Sequence, residues 1–203
     1  MRRLIVLGCL LLAGCATADP GTPTPGDRPG GTTTATTTTT TTSPAETTTT
    51  APGPVHRPRN IDVSAVDICG VMTGLPRAEL GLDTDRPPLA GDSGLFPGSK
   101  DCFNNGTEAN LALTLVAVVN KGATQYLDGA NAKIVRTEVL GFPLHVLTTP
   151  QSPQSCFGVL DVNDGQMIFI NYGVAASSSQ PDTPQITLCQ RVPDIARAAL
   201  ALL

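Results

Sequence analysis

Cys156-Phe157-Gly158-Val159-Leu160-Asp161-Val162-Asn163-Asp164-Gly165-Gln166-Met167-Ile168-Phe169-Ile170-Asn171-Tyr172 sets two apolar runs about a tight polar triplet. Asn, Asp and Gly accept positive φ, and the twist of paired strands selects two-residue turns of that kind. The stretch reads as a β-hairpin, Cys156 to Val162 against Met167 to Tyr172. Asp161 interrupts an otherwise apolar strand. It is either buried with a partner or placed at a sheet edge.

Working outward, Leu111 to Val119 is apolar on both faces and reads as a central strand. Before it, Cys102-Phe103 leads into Asn104-Asn105-Gly106, a hairpin-type turn. After it, Ala123 to Leu127 reads as a helical turn and Val139 to Leu147 as a further strand. Pro143 in that strand marks a bulge or an edge.

Helical patterns lie at the two ends of this β region. Ser64 with Asp67 forms a capping box ahead of Val66, Val71 and Met72, which predicts a helix from Ala65 to Thr73 stopped by Gly74. Pro76 suits the first position of a second short helix, Pro76 to Leu80, ended by Gly81. Asp83 to Ser99 is rich in Pro, Gly and Asp and reads as a long surface loop. At the far end Pro193 to Leu203 is an Ala/Leu helix, with Ile195, Ala199 and Leu202 on one face. Either Pro193 starts it, or Thr187 with Gln190 caps an earlier start and Pro193 bends it. The sum is an α+β fold: an antiparallel sheet of four or five strands, a short N-terminal helical pair, and a C-terminal helix packed on the sheet.

The beginning of the chain has a different character. Met1-Arg2-Arg3 is followed by an apolar run from Leu4 and by Leu12-Ala13-Gly14-Cys15. Positive charge, a short apolar core and small residues form a secretory signal. Nine helical residues reach only about 14 Å against a hydrocarbon core of about 30 Å, too short to span. From Ala16 to about Pro58 the chain is Thr-, Pro- and Gly-rich, with an unbroken Thr36 to Thr42 run, and cannot bury enough surface to order itself. It reads as a spacer whose Thr hydroxyls are candidates for O-linked sugar. Three segments follow: residues 1–14 as signal peptide, 15–58 as anchor and linker, and 59–203 as one extracytoplasmic domain of about 145 residues, long enough for a single core.

Of six cysteines, Cys9 falls in the signal and Cys15 at its boundary, which leaves Cys69, Cys102, Cys156 and Cys189. An even count in an exported domain predicts two disulfides, with three connectivities open. Cys69–Cys102 and Cys156–Cys189 are preferred, each tying a helical segment to the strand nearest it in sequence. The nested pairing, Cys69–Cys189 with Cys102–Cys156, is the alternative. A zinc site needs closer ligand spacing, so no metal is expected. Net charge is −4, which gives no basic field for nucleic acid. Aromatics make up 3% and Trp is absent, so the expected core is aliphatic, without stacking platforms for bases or sugars.

Leu12-Ala13-Gly14-Cys15 resembles the lipobox of bacterial lipoproteins. That resemblance implies a diacylglyceryl thioether on Cys15, removal of the preceding residues, and stable attachment to a membrane through two acyl chains. Further motifs are Arg57-Pro58 through Ile61-Asp62, Asp67-Ile68-Cys69, Leu80-Gly81-Leu82, Asp101-Cys102-Phe103, Leu140-Gly141-Phe142-Pro143, Ser155-Cys156, Asp164-Gly165-Gln166 and Leu188-Cys189. Together these resemble the actinobacterial lipoprotein family catalogued as domain of unknown function 3558. The chain departs from that pattern at Ile68, where Pro is usual, and at Phe103, close to where an aromatic, often Trp, is expected. The resemblance brings no catalytic residues.

Candidate chemistry is thin. Gly91-Asp92-Ser93-Gly94 matches the surroundings of a serine-protease nucleophile, but His56, the sole upstream His, lies in the linker. His145 reads as structural. Asp161, Asp164 and Glu138 could supply paired carboxylates, although Asp164 is accounted for by its turn. Asn105-Gly106-Thr107 matches an N-glycosylation sequon and reads as turn chemistry. No cofactor and no enzymatic activity are expected. The leading expectation is a membrane-anchored binding or accessory domain of the cell envelope, with an envelope lipid, glycan or protein as ligand, bound in an apolar groove or at a sheet edge. A carrier for an apolar molecule would need several hundred cubic ångströms of apolar space. An envelope hydrolase would need His145 near a carboxylate and a hydroxyl in one cleft.

Overall fold

A computed structural model describes residues 56–175 and 183–203. The segment read as a signal peptide, Cys15, nearly all of the segment 15–58 read as anchor and linker, and part of the Ser/Gln/Pro stretch before Cys189 lie outside the described residues. The fold is α+β, built on a seven-stranded antiparallel sheet where four or five strands were expected. The strands are β1 (Leu89–Asp92), β2 (Lys100–Gly106), β3 (Leu111–Val118), β4 (Lys133–Val139), β5 (Phe142–Thr148), β6 (Ser155–Asn163) and β7 (Gln166–Val174), with helices α1 (Ile68–Gly74), α2 (Ala123–Asp128) and α3 (Gln185–Leu200).

Their order across the sheet is β1-β2-β3-β7-β6-β5-β4. Two meanders, β1 to β3 and β4 to β7, are thus joined by a crossover that carries α2 to the far edge. The hairpin about Asn163-Asp164-Gly165 forms as its sequence dictates, with Gly165 at φ +70°. β7 lies in the middle of the sheet, paired with β3 from Met167 to Val174.

The extra strands come from two places. β1 lies inside the stretch read as a loop, and all four of its residues are exposed, so no alternation reveals it. The expected strand Val139 to Leu147 holds the last residue of β4, a turn at Leu140 (φ 51°) and Gly141 (φ 80°), and most of β5; Lys133 to Glu138, read as no element, supplies the rest of β4. Pro143 faces Glu138 in the second pair from that turn, after Val139 and Phe142, and the ladder from β5 to β6 begins only at Leu144. The missing N–H therefore breaks no bond there.

Asn104-Asn105-Gly106 is not a turn. It lies within β2, and the chain reverses over residues 107–110, with Asn110 at φ 52°. Gly106 is there for space, because a Cβ would stand 1.6 Å from the carbonyl oxygen of Gly81.

The helical ends also differ from expectation. Asp67 is itself the N-cap of α1 and accepts from the N–H groups of Cys69 and Gly70; Asp62 caps a separate 3₁₀ turn, Val63–Ala65. Pro76 to Leu80 forms a hydrogen-bonded turn, Leu80 N–H to the Pro76 carbonyl at 3.2 Å, and not a second helix. α3 begins at Gln185, earlier than Pro193, and carries that proline inside it. Ile195 and Ala199 are fully buried, while Leu202 lies past the helix and is exposed.

Each face of the sheet has its own core. On one, α1 and α3 cover Leu113, Leu115, Leu144, Leu160, Ile168 and Ile170. Gly158 admits α3 closely: a Cβ there would stand 2.6 Å from Val192 Cγ1. Cys69 is bonded to Cys102 and Cys156 to Cys189, so each helix on this face is tied to a strand beneath it and the nested pairing does not occur. On the opposite face, the smaller cluster of Val116, Val118, Leu147, Val159, Met167 and Phe169 is covered by α2 and Phe96.

Candidate functional site

The second face is incompletely covered, because α2 is only six residues long. A cleft of about 430 Å³ opens between α2 and the sheet. Leu147 of β5, Phe157 of β6 and Phe169 of β7 form its floor, and Gln125, Tyr126 and Ala130 form one wall. Leu95, Lys121, Asn131, Thr149 and Ser152 complete the rim.

Aromatic rings are concentrated here. The chain has five Phe and two Tyr, and four of these rings pack together. Phe169 lies edge-on to Phe96 at 5.2 Å and to Tyr126 at 5.6 Å, and stacks on Phe157 at 5.8 Å and 28°. Edge-to-face and offset contacts of this kind add to area burial and hold the rings rigidly. Burial raises the Tyr126 pKa. The core beneath α1 and α3 is mainly aliphatic, with Phe142 and Tyr172 in it, whereas rings make up much of the core on this face, so the expected aliphatic core is found only in part. The signal was present: Phe157 and Phe169 have the opposite parity to Cys156 and Tyr172. Any helix tied to Cys156 therefore leaves them on the other side.

A second, polar notch of about 270 Å³ lies by the β6–β7 turn, lined by Arg57, Thr124, Gln125, Asp161, Asn163 and Asp164. Arg57 reaches Asp161 through Nη2 at 2.7 Å and Nε at 2.9 Å, and Asp164 through Nη1 at 2.9 Å. Side-chain exposure is 8% for Arg57 and 4% for Asp161, against 92% for Asp164. Asp161 is thus the buried carboxylate with a partner, and the partner lies upstream of the boundary expected at Arg59. Burial pushes the Asp161 carboxyl up, with the Arg57 hydrogen bond and charge opposing. Burial also works to lower the Arg57 pKa, but the two carboxylates outweigh it and the net shift is upward.

His145 stands on β5 opposite Arg136 and Val159. Its Nδ1 is buried without a hydrogen-bond partner among the described residues. Burial, then the Arg136 charge, lower its pKa against the pull of Asp161. Among the described residues no hydroxyl or carboxylate hydrogen-bonds the His145 Nδ1. Ser93 is likewise a turn residue: its Oγ accepts from the N–H of Phe96 at 3.2 Å. Glu138 lies exposed on β4, away from the Arg57 notch. Among the described residues no group of three His, Cys, Asp or Glu could hold a metal ion.

No curated protein and no solved structure matches the chain. A family profile matches residues 10–202, and the chain belongs to that family, described as "Protein of unknown function (DUF3558)".

Proposed function

We propose that this chain is a lipid-anchored, extracytoplasmic binding or accessory domain of the cell envelope, and that the aromatic cleft over β5, β6 and β7 is its ligand seat. The observation that carries the seat is the gathering of three rings of an aromatic-poor chain, Tyr126, Phe157 and Phe169, about one opening of about 430 Å³, with Phe96 buried behind them. A volume of that order accommodates a small molecule, and rigid rings with a few polar rim groups are the usual make-up of such a site. The anchor rests on Leu12-Ala13-Gly14-Cys15 and the Thr-rich segment after it. A carrier for an apolar molecule is the second reading, and the size and apolar floor of the same cleft favour it.

The seat is tested at Ala132, which lines the cleft. The neutral apolar dye Nile red is expected to bind with saturation at one equivalent. Ala132→Trp is expected to abolish this while the urea midpoint is unchanged; dye uptake equal to that of the natural chain would exclude the seat. The anchor is tested by the intact mass of the chain purified from its native membrane. Cys15 as first residue, carrying a diacylglyceryl group, is the expected result, and a chain beginning upstream of Cys15 would remove the anchor.

A further inference from the structure

The cleft does not stand alone. A hollow of about 360 Å³ shares Asn131, Ala132 and Thr149 with it. A third, of about 250 Å³, shares Lys133, Thr148 and Gln185 with the second. The three follow one another around the end of the β4–β5 hairpin, from the aromatic face to the start of α3. Exposed apolar side chains recur along this path: Leu95 at the first hollow, then Val135 and Ile186 at the third.

Charge along the path is one-sided. The chain as a whole is acidic, at −4, yet among the described residues no Asp or Glu lines any of the three hollows. The charged residues that do are Lys121 at the first and Lys133 at the second and third. Neither lysine forms an ion pair among the described residues, whereas Lys100, Arg57 and Arg197 do. An ammonium beside an apolar trough, without a carboxylate to neutralise it, attracts an anion whose body prefers to leave water. A compact globular ligand would need only the first hollow; three in series suit an extended one.

We infer that the occupant is a single-chain anionic amphiphile, its aliphatic chain laid along the linked hollows and its acidic head held by Lys121 or Lys133. This rests on the cleft being the ligand seat and goes further by naming the ligand class. Recognition is by charge and apolar burial together, so the head group sets selectivity while the chain supplies most of the affinity.

The test uses the full chain carrying Cys15→Ser, so that no acyl group of its own competes, and three probes with one dodecyl tail: dodecyl phosphate, dodecyl maltoside and dodecyltrimethylammonium. Each is titrated calorimetrically below its micelle concentration, with inorganic phosphate alone as the head-group control. Dodecyl phosphate is expected to bind about tenfold tighter than the cationic probe, and the gap is expected to narrow as salt is raised. The pair Lys121→Glu and Lys133→Glu is expected to reverse that order and leave dodecyl maltoside unchanged. Equal binding of all three heads, abolished by Ala132→Trp, would keep the seat and overturn the anionic selectivity. Tight binding of inorganic phosphate alone would overturn the amphiphile. Failure of every dodecyl probe to bind, or binding indifferent to Ala132→Trp, would remove both the seat and the inference.

Discussion

Arg57 shows how a single side chain can settle where a domain begins. Its guanidinium is buried against Asp161, and the residues after it run beside the β6–β7 turn. There the Ile61 N–H donates to the Val162 carbonyl, and Gln166 Oε1 accepts from the Val63 N–H. Two effects compete at the pair. Desolvation penalises both charges, and the upward shift of the Asp161 carboxyl says that it outweighs the attraction at that group. Removing one partner is therefore worse than removing both. Arg57→Met is expected to cost about 3–5 kcal/mol, because it leaves a buried carboxylate without a cation. Arg57→Met with Asp161→Leu is expected to recover most of that loss. Urea denaturation of the two single variants and the double gives the coupling directly. A loss under about 1 kcal/mol for Arg57→Met would place the pair with ordinary surface ion pairs.

Among the elements, legibility followed the strength of local chemistry. Asn163-Asp164-Gly165 names its turn outright, and β6, β7 and β3 are apolar enough to declare themselves. Leu140-Gly141 makes an equally tight turn with a residue type that seldom adopts positive φ, so the expected strand Val139 to Leu147 runs straight through the turn into β5 and leaves Lys133 to Glu138 without an element. β1 buries nothing and β4 is largely exposed, so neither carries the period that would separate it from a loop. Pro193 was read as a start or a bend because the interior of a helix is its costliest place, about 3 kcal/mol. α3 carries it because Leu188 and Val192 before it and Ile195, Ala196 and Ala199 after it are all buried. The glycine of Asn104-Asn105-Gly106 was misread for the opposite reason. Its demand comes from Gly81, 25 residues away in sequence, and no local pattern records that. The aromatic cluster was legible only in part: parity sets Phe157 and Phe169 on one face, but Phe96 and Tyr126 come from two further segments that only the topology brings to them.

At the scale of the whole molecule, both disulfides act on the same face. Cys69–Cys102 ties α1 to β2 and Cys156–Cys189 ties α3 to β6, each across 33 residues, while among the described residues the aromatic face carries no disulfide. The closed loops lie one after the other along the chain, and this arrangement has a thermodynamic consequence. In the chain-entropy account each loop of that length restricts the unfolded state by about 3–4 kcal/mol. Loops that neither overlap nor nest restrict different stretches of chain, so their contributions should add. Nested loops would not, because the inner crosslink already shortens the outer one. The pair Cys156→Ala with Cys189→Ala is therefore expected to lower stability by about 3 kcal/mol, and removal of all four cysteines by about twice that. Given a total of about 5–15 kcal/mol for a domain, the second loss brings the fold close to its limit. The measurement is the urea midpoint and slope of each variant, the slope rising as the unfolded chain is released. Strong non-additivity between the two crosslinks would mean that they constrain one shared stretch of the unfolded chain, and the sequential pairing would have to be given up.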